Sequence, residues 1–328
     1  MKRDIWDTII GNRVFFLSLL FVILFILLSF TVPGFLNLYN LTNMTQYGVE
    51  LGLLALAEAL VILSGGGGID LSVGSMMSLV AIVIGVLIGR VGLSPSLAVV
   101  IGMLTGLAAG LFNGLLVSVG KILPLIVTLA GMYIYRSLAL IIAVDPQFGP
   151  NPMPVSNFPK SFYFIGQYRI GGIPFQVLFI FVPVLLILHF LLSRTAWGRK
   201  LYGVGSNETA ATFSGIDVSR VRLTVYALSG LLSALAAWVI TSRIASARPD
   251  IGTGYELQAI TIAVLGGISI QGGEGTVGGV LLSVAIITML NNGLQLAGIH
   301  QIWQLGALGL VLIGSVLLNQ FLIRRRKI

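Results

Sequence analysis

The chain has 328 residues, of which 56% are hydrophobic and only 9% charged, with a net charge of +8 and a mean hydropathy of +1.01. Soluble domains carry about 25% charged residues, so this composition excludes a soluble globular protein and describes one that lives in a bilayer. With no cysteine in the chain, disulfides and thiolate metal sites are excluded, and the basic excess flanks apolar runs, which speaks against nucleic acid as a partner.

In chain order, apolar runs long enough to cross the hydrocarbon core fall near 14–32, 46–64, 72–89, 95–119, 122–144, 173–192, 223–243, 256–271, 277–297 and 302–321. The first follows a basic N-terminus and lacks a small-residue cleavage site in Phe30-Thr-Val-Pro-Gly34, so it is expected to stay as an uncleaved span. Ten spans put both termini on one side. On that side lie Lys2, Arg3, Arg13, Lys121, Arg194, Arg199, Lys200, Arg220, Arg222 and Arg324 to Lys327; only Arg90, Lys160, Arg169, Arg243 and Arg248 lie on the other. The positive-inside rule then predicts cytoplasmic termini. No soluble domain is left over, and residues 1–328 are expected to form one membrane domain. Its main external loop is 145–172, rich in proline and aromatic residues, and its main internal loop is 193–222.

Between the second and third runs stands Gly65-Gly-Gly-Gly-Ile-Asp-Leu-Ser-Val-Gly-Ser75. Four glycines end a helix and open backbone geometry closed to other residues, after which Asp70 or Ser72 can cap the next helix. Here and near 271–277 a glycine turn replaces a loop, so the adjoining spans are candidates for re-entrant segments. Gly102, Gly106, Gly110 and Gly114 recur every fourth residue on the fourth run, a stripe that predicts close helix packing, with Asn113 placed to bond across it. Glu58 lies inside the second run; a central charge costs about 2.5–3.5 kcal/mol on insertion scales, so it must face protein or a wet cavity.

In the internal loop, Ser206 or Asn207 can cap a short helix, Glu208 suits its positive end, and Gly215 is placed to end it left-handed. The last polar cluster is Asn291-Asn-Gly-Leu-Gln295, whose positions 291 and 295 share a helical face. Amides there either bridge helices or exchange hydrogen bonds with passing hydroxyls. Negative findings matter as much. Gly273-Glu-Gly-Thr-Val-Gly278 matches a dinucleotide fingerprint only formally, because no acid follows Glu274. Gly120-Lys121 lacks both the first glycine and the Ser/Thr of a P-loop. His189 and His300 have no metal-ligand spacing, and no nucleophile–base grouping is apparent. No catalytic, cofactor or metal residue is therefore assigned.

"GRKLYGVGSNETAATFSGIDV" resembles the coupling loop of permeases in ribose-type ABC importers, and the Ile-Asp-Leu-Ser-Val-Gly run (69–74) resembles that family's glycine signature with Gly65 and Gly66 as an insertion. "VPGFLNLYNLTNM", "GLFNGLLV", "VTLAGMYIYRSLALI" and "YELQAITIAVLGGISIQGG" extend the similarity over nearly the whole chain. The resemblance implies an all-α polytopic permease of about ten helices, of the vitamin-B12-importer-like (type II) architecture. It implies a non-catalytic subunit of a bacterial inner-membrane importer for a simple sugar or sugar-like molecule. ATP and Mg would sit on a separate cytoplasmic ATPase, a periplasmic binding protein would deliver the solute, and a second permease subunit would complete the pore.

Under that reading Asn207, Glu208, Ala210, Ala211, Ser214, Gly215 and Ile216 are the expected ATPase-coupling residues. Glu58, Asp70, Asn113, Asn291, Asn292 and Gln295 are the pathway candidates, and Arg90, Lys160, Arg169, Arg243 and Arg248 the candidates for docking the binding protein. The alternative from another class is a channel or ion-coupled secondary transporter. The scarcity of intramembrane charge argues against it.

Overall fold

The computed structural model describes residues 13–147 and 149–300, with scattered positions from 303 to 314. The span expected at 302–321 falls largely outside the described residues, as do Lys2, Arg3 and the basic residues 324–327. The chain is mainly helical: α1 (Arg13–Thr31), α2 (Leu38–Leu63), α3 (Val73–Gly89), α4 (Pro95–Ser118) and α5 (Pro124–Ala143) come first. Two short hairpins, β1 (Val144–Asp145) with β2 (Gly149–Pro152) and β3 (Arg169–Ile170) with β4 (Ile173–Pro174), flank α6 (Lys160–Gln167). A π-helical turn over Val177–Phe181 opens α7 (Val182–Arg194). Then come α8 (Ala196–Ser206), α9 (Glu208–Phe213), α10 (Val218–Ile244), α11 (Tyr255–Leu265) and α12 (Val277–Leu296).

Seven of the described helices are long and apolar enough to cross a membrane. Their burial follows from their sequences. α1 is apolar all round with no small-residue face, and it sits at the edge against α12 with most of its surface outward. α2 carries glycine and alanine from Gly48 onward and is buried from there to its end, packed on α10, α11 and α12. The glycine stripe does what its spacing predicts. A methyl on Gly106 would meet Gly230 and Ala234 of α10, and one on Gly110 would strike the Tyr226 carbonyl. α4 and α10 therefore pack backbone to backbone, the closest approach small residues allow.

One expected span is shorter than its apolar run suggests. α11 holds 11 residues, about 17 Å of helix against about 30 Å of hydrocarbon. Residues 266–276, part of which the apolar run 256–271 counted as helix, turn back on themselves, with Gly267, Gly272, Gly273 and Gly275 all at positive φ. α3 likewise follows a turn in which Gly65, Gly66 and Gly67 are at φ +69°, +64° and +74°. Three successive left-handed residues are open to glycine alone without strain. The two glycines that lengthen the family-like signature are thus what lets the chain reverse here.

Candidate functional site

One end of the bundle gathers three segments that are far apart in sequence. α8 is capped by Thr195, whose Oγ1 accepts from Gly198 N at 3.2 Å, and α9 by Asn207, whose Oδ1 accepts from Ala210 N at 2.9 Å. Gly215 at φ +79° ends α9, and Ile216 N donates back to the Ala211 carbonyl at 3.0 Å. The expected stub is present, but α8 precedes it as a second helix. Its 11 residues include four glycine or alanine positions, and the loop reading did not assign it.

The last turn of α8 is wedged between the two glycine turns. Gly273 N donates to the Leu63 carbonyl at 3.1 Å, and Tyr202 Oη donates to the Gly275 carbonyl at 2.9 Å. A methyl on Gly205 would overlap both the Leu63 carbonyl and Gly273, and one on Gly65 would overlap Gly205. From α10, Arg222 reaches α9 and pairs with Glu208 at 2.6 Å while its guanidinium lies against Gly66. The coupling candidates divide on this frame. Asn207 and Glu208 build the helix start; Ala211 is 5% exposed and packs inward. Ala210, Ser214 and Gly215 face outward, and Ile216 is half-buried. Phe213, expected to continue this short helix but not among the coupling candidates, is 88% exposed. An exposed phenyl group on a tightly capped helix was not legible as such in the sequence, because the alternation of buried and exposed positions over six residues is too short to read.

The pathway candidates form two groups. Glu58, Asp70 and Asn113 lie in the middle of the bundle, fully buried. Both Glu58 carboxylate oxygens accept from Asp70 N, at 3.1 and 3.3 Å. The Asp70 carboxylate accepts from Ser72 N at 3.0 Å, from Ser72 Oγ at 2.5 Å and from Ser229 Oγ at 2.9 Å. Asn113 donates to Ser72 Oγ at 2.8 Å and accepts from Tyr135 Oη at 2.7 Å, and Thr128 Oγ1 holds the Ile69 carbonyl at 3.0 Å. Ser72 stands at the N-cap of α3 but caps nothing with its side chain; its hydroxyl is turned to Asp70. This connected network fixes the glycine turn against α4, α5 and α10.

Asn291, Asn292 and Gln295 lie at the opposite end, because they close α12 while its start adjoins Gly273. They line a cavity of about 180 Å³ together with Tyr47 of α2, Tyr255 and Gln258 of α11, and Thr288 of α12. Asn292 is also committed to Asn40, each amide donating to the other at 3.0 Å, which ties α2 to α12. Beside Tyr47 of the cavity wall, Arg243 pairs with Glu50 at 2.7 Å, and its guanidinium lies 4.5 Å from the centre of the Tyr47 ring. This ion pair joins α10 to α2 and has no local pattern that would announce it.

The five basic docking candidates also differ. Arg90 holds the end of α5, donating to the Ala143 and Val144 carbonyls at 2.8 and 2.9 Å and pairing with Asp145 at 3.3 Å. Arg169 donates to Asn43 Oδ1 at 3.0 Å and covers the Tyr39 ring. Arg243 is the buried partner of Glu50. Lys160 is exposed, and Arg248 is paired with Asp250, the two side chains 51% and 62% exposed respectively. That hydrogen-bonded pairing holds the Asp250 carboxyl below its usual range.

A family model described as "Branched-chain amino acid transport system / permease component" matches residues 40–316. A ribose import permease protein of Bacillus subtilis is 41% identical over 320 residues, covering 97% of this chain and 96% of that protein. A fructose import permease protein of Rhizobium meliloti is 35% identical over 297 residues, covering 88% and 79%. An autoinducer 2 import system permease protein of Salmonella paratyphi A is 35% identical over 285 residues, covering 86% and 84%. No solved structure matches the chain.

Proposed function

Because the chain belongs to the branched-chain amino acid transport system / permease component family, we propose that it is the membrane subunit of an ATP-driven importer of a simple sugar or sugar-like solute. The family's title names amino acids, whereas the ribose, fructose and autoinducer 2 permeases are its relatives here. In this reading the chain hydrolyses nothing. A cytoplasmic ATPase holding ATP and Mg binds beneath it, a periplasmic protein delivers the solute, and a second permease subunit completes the pore. The whole chain forms one domain of about ten helices with a type II importer architecture, lying in the bacterial inner membrane with both termini cytoplasmic. The excess of basic residues flanking one set of span ends supports that orientation.

The observation that carries the reading is the α8–α9 end. A capped helix with an 88% exposed Phe213 stands on a second helix wedged against the two glycine turns. A buried aromatic is the usual anchor of a protein contact, and the tight backbone approaches behind it transmit displacement instead of absorbing it. Phe213 would enter the ATPase, with Asn207, Glu208, Ala210, Ala211, Ser214, Gly215 and Ile216 shaping or surrounding the contact. Motion of α8 would then move the inner ends of α2 and α12.

The test is Phe213→Asp in cells carrying the cognate ATPase and binding protein. Solute uptake is expected to vanish with the permease still in the membrane, and purified complexes are expected to lose ATP hydrolysis stimulated by the loaded binding protein. Full retention of both would refute this assignment.

A further inference from the structure

We infer that the cavity between α2, α11 and α12 is a recognition subsite for a neutral, polyhydroxylated ring molecule, so that this chain itself takes part in selecting what crosses. The inference rests on the permease reading above and adds the place and chemistry of selection. Tyr47, Tyr255, Gln258, Thr288, Asn291 and Gln295 line the cavity. Three of the six are carboxamides, which both donate and accept and so match hydroxyl groups of any orientation. Two polar atoms are placed to take part: Thr288 Oγ1 and Asn291 Oδ1 are buried with no hydrogen-bond partner among the described residues. Thr288 as a whole is only 7% exposed. Buried polar groups in native proteins are otherwise almost always satisfied, and an exception asks for an explanation. Hydroxyls of a bound molecule would supply it.

Charge decides between ligand classes. Among the described residues lining the cavity, none is Asp, Glu, Lys or Arg. Arg243, whose guanidinium lies over the ring of Tyr47 in the cavity wall, is already paired with Glu50 at 2.7 Å. A carboxylate, ammonium or metal ion taken in here would find no counter-charge, and burial of an unpaired ion is strongly unfavourable. An apolar molecule would leave the amides unmet. The two tyrosine rings offer flat apolar faces for the C–H side of a ring, the geometry in which an aromatic face accepts a polarised edge. Size narrows it further. At about 180 Å³, the cavity is below the roughly 300–1,000 Å³ of drug-sized pockets, which suits one sugar ring and not two. Asn292 takes no part as a ligand group, since its amide is held by Asn40; it keeps the α2 and α12 walls together.

The chain has no cysteine of its own, which makes the test direct. Gln258→Cys and Gln295→Cys are placed one at a time in the full chain, assembled with its ATPase and binding protein in membrane vesicles. Labelling by a water-soluble maleimide is timed with D-ribose, D-fructose, D-xylose or myo-inositol, and with L-lysine or L-glutamate as charged controls. Ser96→Cys, which lines a separate groove, is the reference. At least one neutral ring molecule is expected to slow labelling severalfold at both cavity positions and not at Ser96→Cys, with the charged solutes inert. Tyr255→Leu should abolish that protection and Tyr255→Phe should keep it. The subsite is overturned if no neutral solute protects, if the charged solutes protect equally, or if neither cavity cysteine labels at all. Uptake driven by ATP is measured in the same vesicles. Neutral-sugar uptake without protection removes the subsite and leaves the importer standing, whereas protection without any uptake upholds the subsite and removes the importer.

Discussion

At the scale of single residues, the energetics concentrate where a buried group has one partner. Glu50 is 1% exposed, and among the described residues its one ionic partner is Arg243. Removing one member of such a pair leaves the other charged and unpaired, typically at about 3–5 kcal/mol, whereas removing both costs far less. Arg243→Met is therefore expected to lower the melting temperature of the solubilised protein sharply, and the double change Glu50→Gln with Arg243→Met to recover most of it. Equal loss in both would show that the pair contributes by packing alone. Asp250 is the contrast. Its folded carboxyl titrates below the unfolded one because Arg248 hydrogen-bonds the charged form. The stability this adds is present at pH values above the unfolded carboxyl's and is lost only as pH falls through the folded one. Both side chains are half exposed or more, so the effect is discounted to under about 1 kcal/mol. Asp250→Asn should leave the melting temperature nearly unchanged at pH 7, and the difference from the native protein should shrink further below pH 4. A large loss at neutral pH would contradict this.

At the scale of elements, the glycine turns are the sensitive parts. A methyl on Gly66 would have to share space with the Arg222 guanidinium, in a residue already at φ +64°. A non-glycine residue in that region costs about 1–3 kcal/mol before any clash. Gly66→Ala is expected to release Arg222 from Glu208 and so unfasten α9 from α10. Its signature would be faster proteolysis within 195–217 with the spans intact. Gly67→Ala meets the same backbone constraint but open space, so it should lose stability without exposing the loop. If the two variants behaved alike, the Arg222 contact would be incidental.

Across the whole molecule, the five basic residues proposed to face the binding protein separate into those that hold the fold and those exposed enough to meet a partner. Arg90, Arg169 and Arg243 are engaged with carbonyls, amides and a buried acid. Lys160 is exposed and Arg248 half exposed. Charge pairs at an exposed rim act mainly on encounter rates and weaken with salt. The double change Lys160→Glu with Arg248→Glu is expected to slow binding-protein association severalfold at low salt, with little difference at high salt. Changes at Arg90, Arg169 or Arg243 should show first as lost stability. An association rate indifferent to both salt and the double change would place docking elsewhere.

What the amino-acid sequence determined alone is what repeats along a helix or sits within a few residues. Seven of the ten apolar runs announced helices long enough to span, because the bilayer core demands about 20 apolar residues. Gly102 to Gly114 announced a close helix contact, and Asn207 and Gly215 announced both ends of α9, because caps and small-residue stripes act within one or two turns. Other features joined positions whose separation no local pattern spans. The Tyr202–Gly275 contact bridges 73 residues and Glu50–Arg243 bridges 193. The division of the buried polar residues into a central network and an end cavity depended on the same thing. Polarity within a span says that a side chain must find a partner; which partner it finds is set by the neighbouring helix that the fold brings alongside, and only the tertiary structure decided that.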